Sequence, residues 1–208
     1  MAGDTSRAPQ ARTRLARRAV LDAARTLFVE RGYGATTIEA ISDAAEIPQA
    51  TLYRLFSSKK GILQALIDTS IAGDDEPVPV AERSHVRPLF DATHPADSLA
   101  RLAAVSVDIN TRTAPIYRIL VSAAGSDTDA AAILEVLTRQ RQEGQGRVAT
   151  ALAQAKALRR GLRARDAGDI IHAIASPELY HLFVIDRGWS PQRYERWLAE
   201  TLTSQLLP

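Results

Sequence analysis

The stretch Thr36-Thr37-Ile38-Glu39-Ala40-Ile41-Ser42-Asp43-Ala44-Ala45-Glu46-Ile47-Pro48-Gln49-Ala50-Thr51-Leu52-Tyr53-Arg54-Leu55-Phe56 decides how this chain is read. It holds two short amphipathic segments with room between them only for a tight turn. Thr36-Thr37-Ile38-Glu39 has the form of a capping box, in which the Thr36 hydroxyl accepts from the Glu39 amide and Glu39 reaches back to Thr36. Ile38, Ile41 and Ala45 then share one helix face. The turn falls around Glu46-Ile47. Pro48 cannot donate an amide and suits the first turn of the next helix. In that helix Leu52, Leu55 and Phe56 lie on one side, and Gln49, Ala50, Tyr53 and Arg54 on the other. Two unlike faces on the second helix of such a pair suit a nucleic-acid groove. Gln can pair bidentately with adenine, Ala can touch a thymine methyl, and Arg can reach guanine or a phosphate. Base edges are read from the N-terminal end of such a helix, which favours Gln49, Ala50 and Thr51, whereas Tyr53 is better placed for a phosphate.

The flanks fit the same unit. Before it, Val20, Ala23, Ala24, Leu27 and Phe28 form an apolar stripe on a helix expected over Ala11 to Arg31, with Arg14, Arg17, Arg18 and Arg25 off the stripe. Gly32 is its expected stop. After it, Ser58 can cap a fourth helix carrying Ile62, Leu63, Leu66 and Ile67. Lys59 and Lys60 open that helix as point charges within reach of a phosphate backbone, and Thr37 can donate to phosphate beside the free amides of its own helix. Gly73-Asp74-Asp75-Glu76-Pro77-Val78-Pro79 is rich in breakers and marks a boundary. The expected organisation is all-α: a helix-turn-helix domain over 11–72, its motif at about 37–56, and a helical domain over 80–208.

Further helices are expected over Ala81 to Asp91, from Pro95, from Pro115 to near Gly125, from Asp127 or Thr128 to Leu158, from an Asp166 cap to Gly188 with a kink at Pro177, and from Pro191. Alternating strand patterns are nearly absent.

Composition narrows the function. Residues 1–64 carry ten Lys/Arg against six Asp/Glu, whereas the whole chain is nearly balanced at a formal +2. The basic end is therefore the end with the helix pair. The chain has no cysteine, which excludes disulfides and thiolate metal sites. His85, His94, His172 and His181 have no metal-ligand spacing, and no cofactor is expected. Gly144-Gln145-Gly146-Arg147-Val148-Ala149 fits a dinucleotide pattern, but it follows a polar run rather than a strand. No catalytic constellation stands out, so an all-helical enzyme is the least supported class. Met1 to Arg7 lacks an apolar signal core and no run is long enough to span a membrane, so a cytoplasmic location is expected.

The run from Thr36 to Lys59, with Ile62-Leu63 after it and Ala23-Ala24-Arg25-Thr26-Leu27-Phe28 and Arg31-Gly32-Tyr33 before it, resembles the N-terminal domain of TetR-type (TetR/AcrR) regulators. Ser176-Pro177-Glu178-Leu179-Tyr180 and Asp186-Arg187-Gly188-Trp189-Ser190-Pro191 resemble the end of one branch of that family. The resemblance implies a homodimer that binds half-sites of a palindromic operator on double-stranded DNA, and a C-terminal domain that dimerises and holds a small-molecule effector. Carried over by position, Thr37, Gln49, Ala50, Thr51, Tyr53 and Lys59 contact DNA, and Arg54 stands where the family often has His. Two residues depart from its pattern. Glu46 stands where Gly is usual, and Glu tolerates a left-handed turn poorly. Pro48 replaces a Ser or Thr N-cap.

Leu179, Leu182, Phe183, Tyr194, Trp197, Leu198 and Leu202 give the last two helices wide apolar faces, a candidate dimer surface. Polar residues set into apolar helices, namely Asp108, Asn110, Arg112, Tyr117, His172 and Glu178, are candidate effector contacts. The expected function is a transcriptional repressor released by a ligand, and the alternative is a DNA-binding protein without one.

Overall fold

A computed structural model describes residues 7–73, 89 and 94–208, and all regular structure among them is helical. In chain order the elements are α1 (Arg7–Ala35), α2 (Ile38–Ala45), α3 (Gln49–Phe56), α4 (Lys59–Ala72), α5 (Pro95–Ala124), α6 (Thr128–Gln154), α7 (Ala164–Ile174), α8 (Pro177–Tyr180), a π-helical segment (His181–Asp186) and α9 (Pro191–Leu206). The helix expected over Ala81 to Asp91 and the linker after Gly73 lie outside the described residues, apart from Leu89.

The chain divides into two compact units. One takes residues up to Thr69 together with Pro115–Leu134, and the other takes Ser70–Ala114 and Glu135–Pro208. The end of α5 and the start of α6 thus group with the N-terminal helices.

In the first unit, α2 packs on α1 and on α3. Val20, Leu21, Ala24, Leu27 and Phe28 are buried on α1, Ile41 on α2, Leu52 and Phe56 on α3, and Ile62, Leu63 and Leu66 on α4. These are the apolar positions of the sequence pattern, and removing them from water is what holds such short helices together. Gly32 adopts φ 80° and breaks the helical geometry inside α1, so the chain turns there as the glycine implied.

Several helix ends differ from expectation. The N-cap of α2 is Thr37, whose hydroxyl accepts from the Ala40 amide at 3.1 Å. Thr36 is fully buried instead, and its hydroxyl donates to the Gly32 carbonyl at 2.8 Å, with the Leu27 carbonyl at 3.3 Å. The helices expected from Pro95 and Pro115 are one, with Pro115 inside α5. Its buried positions Leu99, Leu102, Ala103, Val107 and Ala114 run on into Ile116 and Leu120, and this packing outweighs the missing amide. Asp127 caps α6 by accepting from the Ala130 amide at 2.9 Å, and the helix stops at Gln154 with Lys156 at φ 54°. Helix α7 starts at Ala164, so Asp166 lies in its first turn, paired with Arg163, rather than at the cap. At Pro177 the helix does not kink but ends and restarts: Ser176 accepts from the Leu179 amide at 3.2 Å and Pro177 opens α8.

The second unit has one apolar core. Leu99, Leu102, Ala103 and Val107 of α5, Val148, Ala149 and Leu152 of α6, Ala167 and Ile171 of α7, and Tyr194, Leu198, Leu202 and Leu206 of α9 are buried together. Helices α6 and α7 meet at glycines, where a Cβ on Gly168 would lie 3.7 Å from the Gly146 Cα. The dinucleotide-like run is thus a helix contact, not a phosphate loop.

Candidate nucleic-acid interface

Helix α3 rests on Leu52 and Phe56, buried to 1% and 6% exposure, while Tyr53 on the opposite side is 51% exposed. Gln49, Ala50 and Arg54 are exposed with it, and Thr51 is half-buried. Among the described residues, no side-chain hydrogen bond or ion pair engages Gln49, Tyr53 or Arg54. The outward face is thus a set of exposed polar groups on a helix whose other face is anchored.

The turn leading into α3 is braced from inside. The Ser42 hydroxyl donates to the Ile47 carbonyl at 2.6 Å, and the Ile47 amide returns to the Ser42 carbonyl at 3.1 Å. Sequence reading missed Ser42; its only signal was a small polar residue beside Ile41 on the inward face of α2. Glu46 has φ 54° and ψ 35°, the left-handed conformation that glycine adopts without steric cost. Pro48 is the N-cap of α3 and supplies no side-chain bond, but its carbonyl accepts from the Thr51 amide at 2.8 Å. A non-glycine residue held left-handed costs on the order of 1–3 kcal/mol, against ~0.5–1 kcal/mol for the extra freedom glycine loses on folding. Glu46→Gly is therefore expected to raise stability by about 1 kcal/mol, read as a higher urea midpoint; an unchanged midpoint would show the turn to be unstrained.

Thr37 is exposed and its oxygen already accepts from Ala40, which leaves the hydroxyl proton free for a phosphate beside the unpaired first amides of α2. The two lysines of α4 differ. Lys59 Nζ donates to the carbonyls of Tyr33 at 3.0 Å and Thr36 at 3.1 Å and sits 4.2 Å from the Tyr33 ring centroid. It ties the start of α4 to the end of α1, and a third donor remains for other work. Lys60 Nζ pairs with Asp129 at 2.9 Å, with both side chains about half exposed. Burial, then Asp127 and Asp129, push the Tyr33 phenol up to about 12, so the ring beside Lys59 stays neutral. Sequence reading also missed Gly61, whose Cβ, if present, would run into the carbonyl of Phe56. A lone glycine in the helical pattern of α4 was the available signal.

Of the candidate effector residues, Tyr117 lies in the first unit and the other five in the second. Asp108 pairs with Arg112 on its own helix. Asn110 is buried, and its side-chain amide nitrogen has no partner among the described residues. His172 accepts from Arg141 at Nε2 (3.0 Å), so its Nδ1–H faces the buried Gln145 oxygen at 2.8 Å and the ring is neutral. Burial and then Arg141 hold its pKa below the usual histidine value, with Glu178 and Asp169 opposing. An open groove of about 810 Å3 along α6 and α7, lined by residues such as Arg147, Thr150 and Arg165, includes none of the six.

The apolar face of the last helices divides as well. Tyr194, Leu198 and Leu202 have no exposed surface because α9 packs them into its own unit's core. They are core residues, not available to a second copy. Phe183 and Trp197 are half-buried in a ring cluster, their centroids 4.8 Å apart. Leu179 is half-buried, and Leu182 at 45% and the unanticipated Ile185 at 56% are exposed.

Comparison with known proteins locates the likeness. Residues 20–66 match the family described as bacterial regulatory proteins, tetR family. The uncharacterized HTH-type transcriptional regulator YvkB of Bacillus subtilis is 44% identical over 48 residues, 23% of this chain and 25% of that protein. The HTH-type transcriptional repressor KstR2 of Rhodococcus jostii is 44% identical over 66 residues, 32% of this chain and 30% of that protein. The matched stretches thus span about a quarter to a third of these relatives' own length. Likeness of fold runs much further. NalD, the secondary repressor of the MexAB-OprM multidrug efflux pump in Pseudomonas aeruginosa, superposes with a TM-score of 0.74 at 20% identity over 94% of this chain and 98% of that one. A SmeT–triclosan complex superposes with a TM-score of 0.67 at 19% identity over 93% of this chain and 92% of that one.

Proposed function

We propose that this chain, TetR-type in its helix-turn-helix and in its fold, is a sequence-specific transcriptional repressor that binds a palindromic operator as a homodimer and is released by a small-molecule effector. The observation that carries the reading is the exposed Gln49-Ala50-Tyr53-Arg54 side of α3 over the buried Leu52 and Phe56. Gln49, Ala50 and Thr51 read base edges, and Tyr53 and Thr37 hold the phosphate backbone. Two copies are needed because half-sites lie about 34–36 Å apart, one helical turn, on one face of the duplex. Leu179, Leu182, Phe183, Ile185 and Trp197 keep exposed or half-exposed apolar surface for that association. The triclosan bound to SmeT supports a small-molecule effector. A cytoplasmic location fits a chain whose described helices are none of them long and apolar enough to cross a membrane.

Mobility shifts on the protein's own upstream DNA at several salt concentrations test the reading. Binding should be palindrome-specific and fall steeply with salt, as counterions are released from each neutralised phosphate. Gln49→Ala should cost about 1–3 kcal/mol at one base position and relax the preference there, whereas Tyr53→Ala should weaken every sequence alike. Identical losses from both on all sequences would overturn the assignment of roles.

A further inference from the structure

Between Arg7 and Arg18 the chain carries five arginines and no acidic residue. The run precedes the stretch that matches the tetR family, which begins at residue 20. It is helical nonetheless: α1 starts at Arg7, and Val20 is the first of its described residues to be buried. The early turns of α1 thus stand outside the apolar core, and their arginines differ in what engages them. Arg17 is half-buried, with its Cζ 4.8 Å from the ring centroid of Phe56, the last residue of α3. Burial pushes the Asp68 carboxyl of α4 up, and Gln64 and then Arg17 oppose that shift. Arg17 is therefore committed to the protein, and it fixes which side of α1 faces the end of α3. Arg14 stands one turn earlier on that side, since residues three apart are neighbours on a helix surface. It is exposed, and among the described residues no hydrogen bond or ion pair engages it. Arg18, four residues after Arg14, is exposed as well and pairs loosely with the exposed Asp22 at 3.8 Å. Arg12 is equally exposed and unengaged among the described residues, but at two residues from Arg14 it lies on the far side of the helix.

A single arginine on an exposed helix side is solvated surface. Here three share one side of α1, and Arg17 places that side beside the end of α3 within one compact unit. A helix seated in the major groove lies between two phosphate strands, so a cation held beside its end meets backbone rather than base edges. The planar fork of a guanidinium suits a phosphate in two-point contact. We propose that the Arg14–Arg18 side of α1 is a second DNA contact, a phosphate-binding surface that adds affinity to the duplex read by α3 without adding sequence preference. Arg14 carries most of it, because Arg17 is held on Phe56 and Arg18 must first leave Asp22. The proposal rests on the reading of the chain as a dimeric operator binder.

The test uses the full chain and the palindrome that footprinting defines on the upstream DNA, with affinities measured across salt concentrations. Arg14→Gln should lower the slope of log K against log salt by about 1 per half-site, so about 2 on the palindrome, and weaken binding about tenfold on every sequence. Base preference and the urea midpoint should stay those of the parent, because the side chain is exposed. Arg14→Lys keeps the charge and should keep the slope. Arg12→Gln removes the same charge from the opposite side of α1 and should change the slope by less than about 0.5. Methylphosphonate duplexes, which neutralise one phosphate at a time, should show one position per half-site that weakens the parent and leaves Arg14→Gln unaffected. Equal losses from Arg12→Gln and Arg14→Gln would mean diffuse charge and overturn the proposal. So would a parental slope in Arg14→Gln, or a lowered urea midpoint without a change of slope. A parent that shows no preference for the palindrome removes the operator reading itself, whereas failure of the second contact alone leaves that preference intact.

Discussion

Gly61→Ala is expected to destabilise the N-terminal unit by about 3 kcal/mol and to abolish operator binding. Only Ser57 and Ser58 separate α3 from α4. Ser57 takes φ 65°, and its amide donates to the Tyr53 carbonyl at 2.8 Å while the Ser58 amide donates to the Phe56 carbonyl at 2.8 Å. The Ser58 hydroxyl then accepts from the Gly61 amide at 3.1 Å. This reversal brings the backbone of Gly61 against the last residue of α3. A Cβ there would lie inside the van der Waals envelope of the Phe56 carbonyl oxygen, and 3.0 Å from its carbonyl carbon. Neither atom belongs to a side chain that can swing away, so either α4 or the end of α3 must move. Phe56 is buried to 6% and Ile62, beside the glycine, is fully buried, so movement on either side opens packed core. Urea denaturation and mobility shifts read the outcome. A variant with the parent's midpoint and affinity would show that the two helices slide apart at no cost, and that the close approach does not fix α3.

The parts of this architecture that repeat along one helix were legible in the sequence. The two-faced pattern of α3 placed Leu52 and Phe56 inside and Gln49, Tyr53 and Arg54 outside, and the structure has them there. The turn was legible only through the family resemblance, which has glycine where Glu46 stands, and Glu46 takes the left-handed conformation that a glycine there implies. Choices between neighbours were not legible when the deciding partner is remote. Thr36 and Thr37 can each cap a helix, and the buried carbonyls of Leu27 and Gly32 decide which hydroxyl turns inward. The stripe of Tyr194, Leu198 and Leu202 announces burial but not against which surface, and α9 spends it on its own unit. Arg112, similarly, reads as one of several polar residues set into an apolar helix until the carbonyls 41 and 42 residues away come beside it.

Lys59 and Lys60 make the same point and lead to the second large effect. Adjacent and alike in sequence, they are separated by their partners. Lys60 meets an exposed aspartate in a pair of the kind that contributes ~0–1 kcal/mol, so Lys60→Ala should leave stability nearly unchanged. Lys59→Ala should cost about 2 kcal/mol. It removes two charge-assisted hydrogen bonds, each worth ~1.5–3 kcal/mol when shielded and less at this half-buried site, together with a cation–ring contact. It also leaves the Thr36 and Tyr33 carbonyls without their ammonium partner at the corner where α1 gives way to α2. DNA affinity should fall on all sequences in both variants if both ammonium groups reach the backbone, and the two causes separate in the salt dependence. A lost phosphate contact lowers the slope of log K against log salt by about 1. A lost clamp leaves the slope and lowers the urea midpoint. The geometry favours the clamp for Lys59: a lowered midpoint with an unchanged slope is expected, and an unchanged midpoint with a shallower slope would return Lys59 to the phosphate backbone, as the family resemblance implies.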